Sequence, residues 1–188
     1  MISERNFQSV DYGPLTALIG TWQGTTGKDI SPEKVGHEEN IYQEKLIFQP
    51  VGTVSNAEEQ DLVSLQYHQS VNRISDDKMI HNESGYLSWD SQLHLLIKSF
   101  SIPRGVAVIA GGQLTVKDGH LSFEVKARLG DSEWGIIQSP FMQKKALTQS
   151  YAYSMSVENN RMSYSQIMEL DIYGRSFSHT DCNHLIRA

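Results

Sequence analysis

The sequence is poor in cysteine, in long apolar runs and in basic charge. Cys182 is the single cysteine of 188 residues. One thiol cannot form an intrachain disulfide, and this usage is typical of a reducing compartment. No apolar run approaches the roughly 20 residues that a transmembrane helix needs, and residues 1–6 lack the charged start and apolar core of a signal peptide. These absences predict a cytoplasmic protein without a membrane anchor.

Basic residues are outnumbered by acidic ones. The chain has 16 Lys and Arg against 22 Asp and Glu, a net charge of −6. Proteins that bind nucleic acid carry a basic face, so no nucleic-acid partner is predicted. The hydrophobic content of 39% and charged content of 20% are typical of a globular chain. We found no repeat, linker or low-complexity stretch, and therefore predict a single domain over residues 1–188 that buries roughly 70% of its unfolded surface.

Most of the chain alternates apolar and polar residues with the period of two that marks β-strands. In residues 62–69, for example, Val63, Leu65 and Tyr67 alternate with polar side chains. Residues 118–119 (Asp-Gly) and 158–160 are turn signals between such segments. We predict loops at residues 25–40 and 52–59 and a turn at 110–112. The predicted strands are residues 41–48, 62–69, 79–89, 93–101, 105–110, 114–117, 121–127, 150–157, 161–172 and 177–187.

Short turns and an almost complete lack of helical periodicity indicate a meander of antiparallel neighbours. The exposed edges of such a sheet are best removed by closure. The sequence therefore predicts an all-β fold, a closed antiparallel up-and-down barrel of about ten strands. Only residues 12–19 have a helical pattern, with Pro14 in the first turn. This short N-terminal helix is predicted to cap the floor of the barrel before the first strand.

Three residues at the two ends of the chain are predicted to seal one end of the barrel. Closure pairs the first and last strands and so brings Trp22 near Arg187. Trp22 would fill the floor, the Arg187 guanidinium would stack on the indole, and Gly20 would permit a bend or a close backbone approach. The alternative is that Trp22 is ordinary core and Arg187 is a solvated terminal charge.

Several stretches in the same order along the chain resemble the nitrobindin-like, haem-binding β-barrel family, which is also described as fatty-acid-binding-protein-like or THAP4-like. After Gly24 the chain lacks the family's further glycines and its Tyr-Pro segment, so it resembles a divergent branch. The resemblance implies haem b bound by a histidine near the end of the last strand, a position that falls on His179. The stretches that carry the resemblance are residues 18–24, 42–48, 81–86, 103–106, 110–112 and 177–187.

His179 shares its strand face with Asp181 and Asn183, because alternate residues of a strand point the same way. Metal-bound histidines usually donate their second N–H to a carboxylate or carbonyl, which makes Asp181 a candidate partner. The alternative is a polar patch at the barrel mouth without a ligand. His184 lies on the opposite face with Cys182, and serves as the second choice of ligand.

His81 and His68 lie on neighbouring predicted strands and are further candidates for the cofactor site. They would line the distal side of a bound haem or hydrogen-bond an anion; the alternative is that both make structural hydrogen bonds. A bare divalent-metal site among the histidines and carboxylates also stays open, although no His-x-His or His-Glu-x-x-His spacing supports it.

Two functions follow. By the resemblance, the chain is a ferric haem protein that binds nitric oxide and isomerises peroxynitrite to nitrate. The alternative is a non-catalytic carrier of a fatty-acid-like or tetrapyrrole ligand in the lumen, with Arg104 or Lys98 as polar anchor. A lumen filled by its own side chains is a third reading. Whether the chain is an enzyme and whether it forms a homodimer stay open at this point.

Overall fold

The structure is a computed structural model that describes residues 10–188. The predicted lack of a signal peptide concerns residues 1–6, which lie outside the described part. Within residues 10–188, eleven strands and two six-residue helices follow one another. In chain order the elements are a 3₁₀ helix Gly13–Leu18, β1 Gly20–Pro32, β2 His37–Asn56, β3 Gln60–Arg73, β4 Met79–Asp90, β5 Leu95–Ile102, β6 Val106–Lys117, β7 His120–Arg128, β8 Ile136–Gln138, α1 Pro140–Lys145, β9 Ala146–Glu158, β10 Arg161–Ile172 and β11 Arg175–Arg187.

Ten of these strands form one closed antiparallel ring. Strands β1 to β7 pair in chain order, β7 pairs with β9, and β9, β10 and β11 lead back to β1. The three-residue β8 pairs with the first residues of β6, from Val106 to Val108. The predicted closed up-and-down barrel of about ten strands is confirmed. Among residues 10–188 no helix is long and apolar enough to cross a membrane.

The floor of the barrel is closed by the 3₁₀ helix and the first residues of β1. Leu15 and Leu18 of this helix are completely buried, and the Trp22 indole N–H donates to the Leu18 carbonyl at 2.7 Å. The Arg187 guanidinium carbon lies 4.2 Å from the Trp22 ring centroid. The same guanidinium donates to the main-chain carbonyls of Ile19 and Ala17. Helix, tryptophan and arginine are thereby joined into one packed layer.

Both predicted loops between the early strands are wrong in part. Residues 25–32 continue β1 and residues 37–40 begin β2, so only the turn between them is irregular. The inward positions here are occupied by Gly27, Asp29 and Asn40, all of them buried. Because these residues are not apolar, the strand lacks the alternation that would reveal it. Residues 53–56 also continue β2, paired with residues 60–63 but exposed on both faces.

Gly111 and Gly112 lie inside β6, so the turn predicted at residues 110–112 is wrong. A Cβ atom on Gly111 would come within 2.3 Å of the Trp134 ring. On Gly112 it would come within 1.9 Å of the Glu124 carbonyl oxygen. Glycine is required here by the close approach of neighbouring groups rather than by a chain reversal. The predicted hairpin at Asp118-Gly119 does form, with both residues at positive φ.

We expect Gly112→Ala to destabilise the barrel by about 1–3 kcal/mol, because the added methyl group overpacks β6 against β7. The measurement is the free energy of unfolding in urea. Gly135→Ala is the matched control, since the nearest atom to its Cβ lies at 3.5 Å, an ordinary contact. Equal stability of the two variants would contradict the steric explanation.

Candidate functional site

The barrel has a mouth opposite its sealed floor. The turns at residues 33–36, 74–78, 103–105 and 173–174 surround the mouth, together with α1. Strand β11 runs from the mouth at Arg175 to the floor at Arg187. Its inward-facing residues therefore form a ladder that descends from the mouth, in the order His179, Asp181, Asn183 and Leu185.

Three side chains meet just inside the mouth. His179 Nε2 lies 2.7 Å from Asp29 Oδ1 and 3.7 Å from Asp181 Oδ2. Asp29 belongs to β1, where its Cα is paired with that of Asp181 in β11. One ligand atom from each residue lies within 4.8 Å of the other two. The side chains of His179, Asp29 and Asp181 are 24%, 8% and 19% exposed, so a ligand can reach the imidazole from solvent.

Further polar side chains fix this triad. Asn40 Nδ2 donates to Asp29 Oδ2 at 2.9 Å, and Ser31 Oγ donates to the same oxygen at 3.0 Å. Gln166 Nε2 donates to Asp181 Oδ2 at 3.1 Å. Among residues 10–188 the hydrogen bonds of the His179 ring involve Nε2 alone, which leaves Nδ1 without a protein partner.

The charges within the triad depend on one another. Burial by itself would raise the pKa of Asp29, but the hydrogen bonds from His179 and Asn40 outweigh it, so the pKa lies below its ordinary value. Burial would lower the pKa of His179, but the Asp29 hydrogen bond and the Asp181 charge raise it overall. Burial raises the pKa of Asp181 to about 6, against the attraction of His179. The two shifts favour the charged forms of His179 and Asp29, because each group stabilises the charge of the other.

Deeper in the lumen, Glu44 is buried and holds a polar network. Asn183 and Tyr164 each donate to Glu44 Oε2 at 2.8 Å, and Gln69 donates to Oε1 at 2.8 Å. Burial raises the pKa of Glu44 in spite of these three donors. The Tyr42 hydroxyl completes the network at 2.8 Å from that of Tyr164. Donors from three other strands thus converge on one carboxylate.

A second buried carboxylate is paired with a lysine. Lys98 Nζ lies 2.6 Å from Glu83 Oε1, which also accepts the Tyr67 hydroxyl. His81 Nε2 lies 3.4 Å from the other Glu83 oxygen. Burial opposes ionisation of Glu83, but the Lys98 charge prevails and lowers its pKa to about 2. The rings of Tyr67, Phe100, Tyr151 and Tyr153 surround the ammonium at 3.8–5.3 Å.

These layers leave almost no room in the deep lumen. The cavity between Leu46, Tyr67, Lys98 and Met155 measures about 10 Å³. Such a volume holds about one water molecule, whereas ligand pockets typically measure roughly 300–1,000 Å³. Lys98, considered as a polar anchor for a carried ligand, is instead bound to Glu83. The cavity between these residues is therefore too small for a ligand of ordinary size.

The predicted site residues divide between the two faces of the wall. His179 and His81 face inward, and Asp181 is near His179 as expected. His68 is exposed on the outer face, where its Nε2 lies 3.1 Å from Asn82 Nδ2, and so does not line the lumen. His184 is exposed on the outer face as well.

Asp29, the nearest partner of His179, was missed by sequence reasoning because residues 25–40 read as a loop. The available signal was the antiparallel register. Trp22 pairs with Arg187, so continuing β1 toward the mouth would have reached the strand positions opposite Asp181. A register shift between Gln23 and Lys28 then brings Asp29 itself opposite Asp181.

Comparisons with known proteins agree with this architecture. The family model described as "THAP4-like, heme-binding beta-barrel domain" matches residues 11–187. The solved structures similar to the chain include the crystal structure of Rv2717c from M. tuberculosis, with a TM-score of 0.72. The two sequences are 21% identical, and the superposition covers 95% of this chain and 99% of the other. That level of identity shows a shared fold alone. No curated protein matches the chain.

We expect Glu83→Gln to lower the free energy of unfolding at pH 7 by about 3–5 kcal/mol, because it leaves the Lys98 ammonium buried without its carboxylate. The double variant Glu83→Gln/Lys98→Met should regain part of this loss. Glu124→Gln is the control, since its pair with Lys126 is exposed and contributes about 1 kcal/mol or less. Denaturation in urea measures all three variants.

The same pair predicts the acid stability of the barrel. The pKa of Glu83 is about 2 in the folded protein, against an ordinary 4.5. The stabilisation is thus fully present above pH 4.5 and is lost as the pH falls toward 2. As the pH falls through this range, the free energy of unfolding should decline more steeply in the native sequence than in Glu83→Gln. Parallel curves would show that Glu83 is not the group responsible.

Proposed function

The chain belongs to the THAP4-like, heme-binding β-barrel domain family, and we propose on this premise that it binds haem b at the barrel mouth through His179. The observation that carries the proposal is the state of the imidazole. It faces inward at a solvent-accessible mouth, with Nε2 on a buried carboxylate and Nδ1 free of protein partners among residues 10–188. Histidines that bind metals usually donate their second ring N–H in this way.

The residues at the mouth fit such a group, whereas the deep lumen does not. A cavity of about 10 Å³ is too small for a macrocycle, so the residues at the mouth are those that would hold the cofactor. His179 would hold the iron there. His81 is the second inward-facing imidazole near the mouth, although its Nε2 is directed at Glu83. Arg104 is also near the mouth, where its positive charge acts to lower the pKa of His179.

Haem held by His179 would supply an iron centre for the chemistry that the family resemblance implies, which is nitric oxide binding and the isomerisation of peroxynitrite to nitrate. The protein's own part is to prepare the imidazole. Asp29 accepts a hydrogen bond from Nε2–H, which fixes the tautomer and raises the basicity of the ring. Asn40 and Ser31 hold the Asp29 carboxylate in place.

Hemin titration tests the proposal directly. We expect the purified protein to give a saturable Soret band at one equivalent of hemin, and His179→Ala to lose or shift that band. Asp29→Asn should still bind, but with about 10–100-fold lower affinity, because the ring loses its carboxylate partner. His68→Ala is the control, because this histidine is exposed on the outer wall. An identical band in His179→Ala and the native protein would refute axial ligation by His179.

Catalysis is tested separately by stopped-flow absorbance. We expect one equivalent of hemin-loaded protein to accelerate peroxynitrite decay and to raise the yield of nitrate over nitrite. His179→Ala mixed with the same amount of hemin is the control for free hemin. Decay at the rate of that control would leave the protein a haem binder without this activity.

A second candidate function is direct binding of a divalent cation by the triad itself. The observation that favours it is the convergence of His179, Asp29 and Asp181, with ligand atoms within 4.8 Å of one another. One imidazole and two carboxylates suit Zn²⁺ or Mn²⁺. Asp181→Asn separates the two candidates. This variant should lose Zn²⁺ binding in calorimetry but keep the hemin spectrum, since Asp181 lies 3.7 Å from the ring. The filled lumen gives no support to an enclosed apolar ligand.

A further inference from the structure

A groove of about 770 Å³ lies at the mouth end of the barrel, on its outer side. The helix α1 forms one wall, and the turn between β10 and β11 forms the other. The residues of the triad are not part of its lining, so this groove is distinct from the site described above. Its lining combines positive charges with aromatic rings, and the residues that matter are Phe141, Lys144, Lys145, Asp171, Tyr173 and Arg175.

The charge of the groove is positive in a chain whose net charge is negative. Lys144 and Lys145 are exposed, and among residues 10–188 neither forms an ion pair with a carboxylate. Arg175 donates to the main-chain carbonyls of Glu33 and Gly36, which are uncharged acceptors.

The single carboxylate in the lining, that of Asp171, is already satisfied. Gln149 Nε2 donates to one of its oxygens at 2.6 Å and Ser176 Oγ to the other at 2.8 Å. These hydrogen bonds lower the pKa of Asp171, so it is ionised but turned to its own neighbours. With three cationic side chains and one carboxylate, the lining has an excess of positive charge, which favours an anion.

The aromatic residues of the groove are exposed and do not pack into the hydrophobic core. Phe141 is 70% exposed, and no residue of α1 is fully buried. Tyr173 is 50% exposed and has a φ of +56°. A bulky residue in this left-handed region costs backbone energy, and asparagine or glycine would form the turn with less strain. Local costs of this kind, without a compensating contact, are typical of binding sites.

We infer that this groove binds an organic anion with a flat apolar body, of the aryl carboxylate or aryl phosphate class. Lys144 and Lys145 contact the anionic group, and the rings of Phe141 and Tyr173 contact the body. The groove volume lies within the roughly 300–1,000 Å³ of ordinary ligand pockets. The inference does not depend on haem binding, because the two sites share no residue.

The probe is 2-naphthoate. Its binding is measured by calorimetry at low ionic strength and by its displacement of 8-anilinonaphthalene-1-sulfonate. We expect one site per chain. Lys144→Gln/Lys145→Gln should weaken binding at least about tenfold, because it removes two positive charges. Phe141→Ala should also weaken binding, because it removes a ring contact. Lys45→Gln/Lys117→Gln is the matched control, because it removes two exposed lysines elsewhere on the barrel.

His179→Ala separates this site from the mouth triad and should bind 2-naphthoate with unchanged affinity. Circular dichroism and urea denaturation check that every variant is folded. Equal weakening in both lysine pairs would show a general charge effect and overturn the inference. Loss of binding in His179→Ala would move the ligand to the mouth and overturn it equally.

Discussion

The pairing of β1 with β11 is the contact on which the barrel and its mouth both depend. It closes the sheet, sets Trp22 opposite Arg187 at the floor, and sets Asp29 opposite Asp181 near the mouth. Asp29 and His179 are 150 residues apart in sequence, and closure of the barrel is what brings them together. The register shift between Gln23 and Lys28 is part of this constraint, because it decides which β1 residue stands opposite Asp181.

The interior of this barrel is organised by carboxylates rather than by an open apolar cavity. Asp29, Glu44 and Glu83 lie inside the barrel, and each is supplied with donors from other strands. Buried ionised groups are tolerated only when they are paired, and breaking one pair costs far more than the pair contributes. The lumen is therefore occupied by the protein's own side chains. The consequence for function is that ligands are expected at the rim, where imidazole and carboxylates meet solvent.

The mouth end carries two arrangements of different chemistry. Inside the rim, the His179 imidazole is paired with the Asp29 carboxylate, the arrangement that we propose holds a metal. Outside the rim, α1 and the β10–β11 turn carry the lysines and exposed rings that we propose bind an anion. The membership of the chain in a heme-binding family bears on the first arrangement only. The second arrangement is inferred from the residues of the groove and not from the family.

The sequence alone predicted the strands of the barrel because alternation and tight turns such as Asp118-Gly119 are local signals. It also placed His179 and Asp181 on one strand face. It did not reveal Asp29, because polar inward residues interrupt the alternation by which strands are recognised. Gly111 and Gly112 resembled a turn because the groups that leave no room for a side chain there, Trp134 and Glu124, are remote in sequence. Local patterns thus determined the strands, whereas tertiary closure decided which residues share the mouth, since a register joins positions that no local pattern connects.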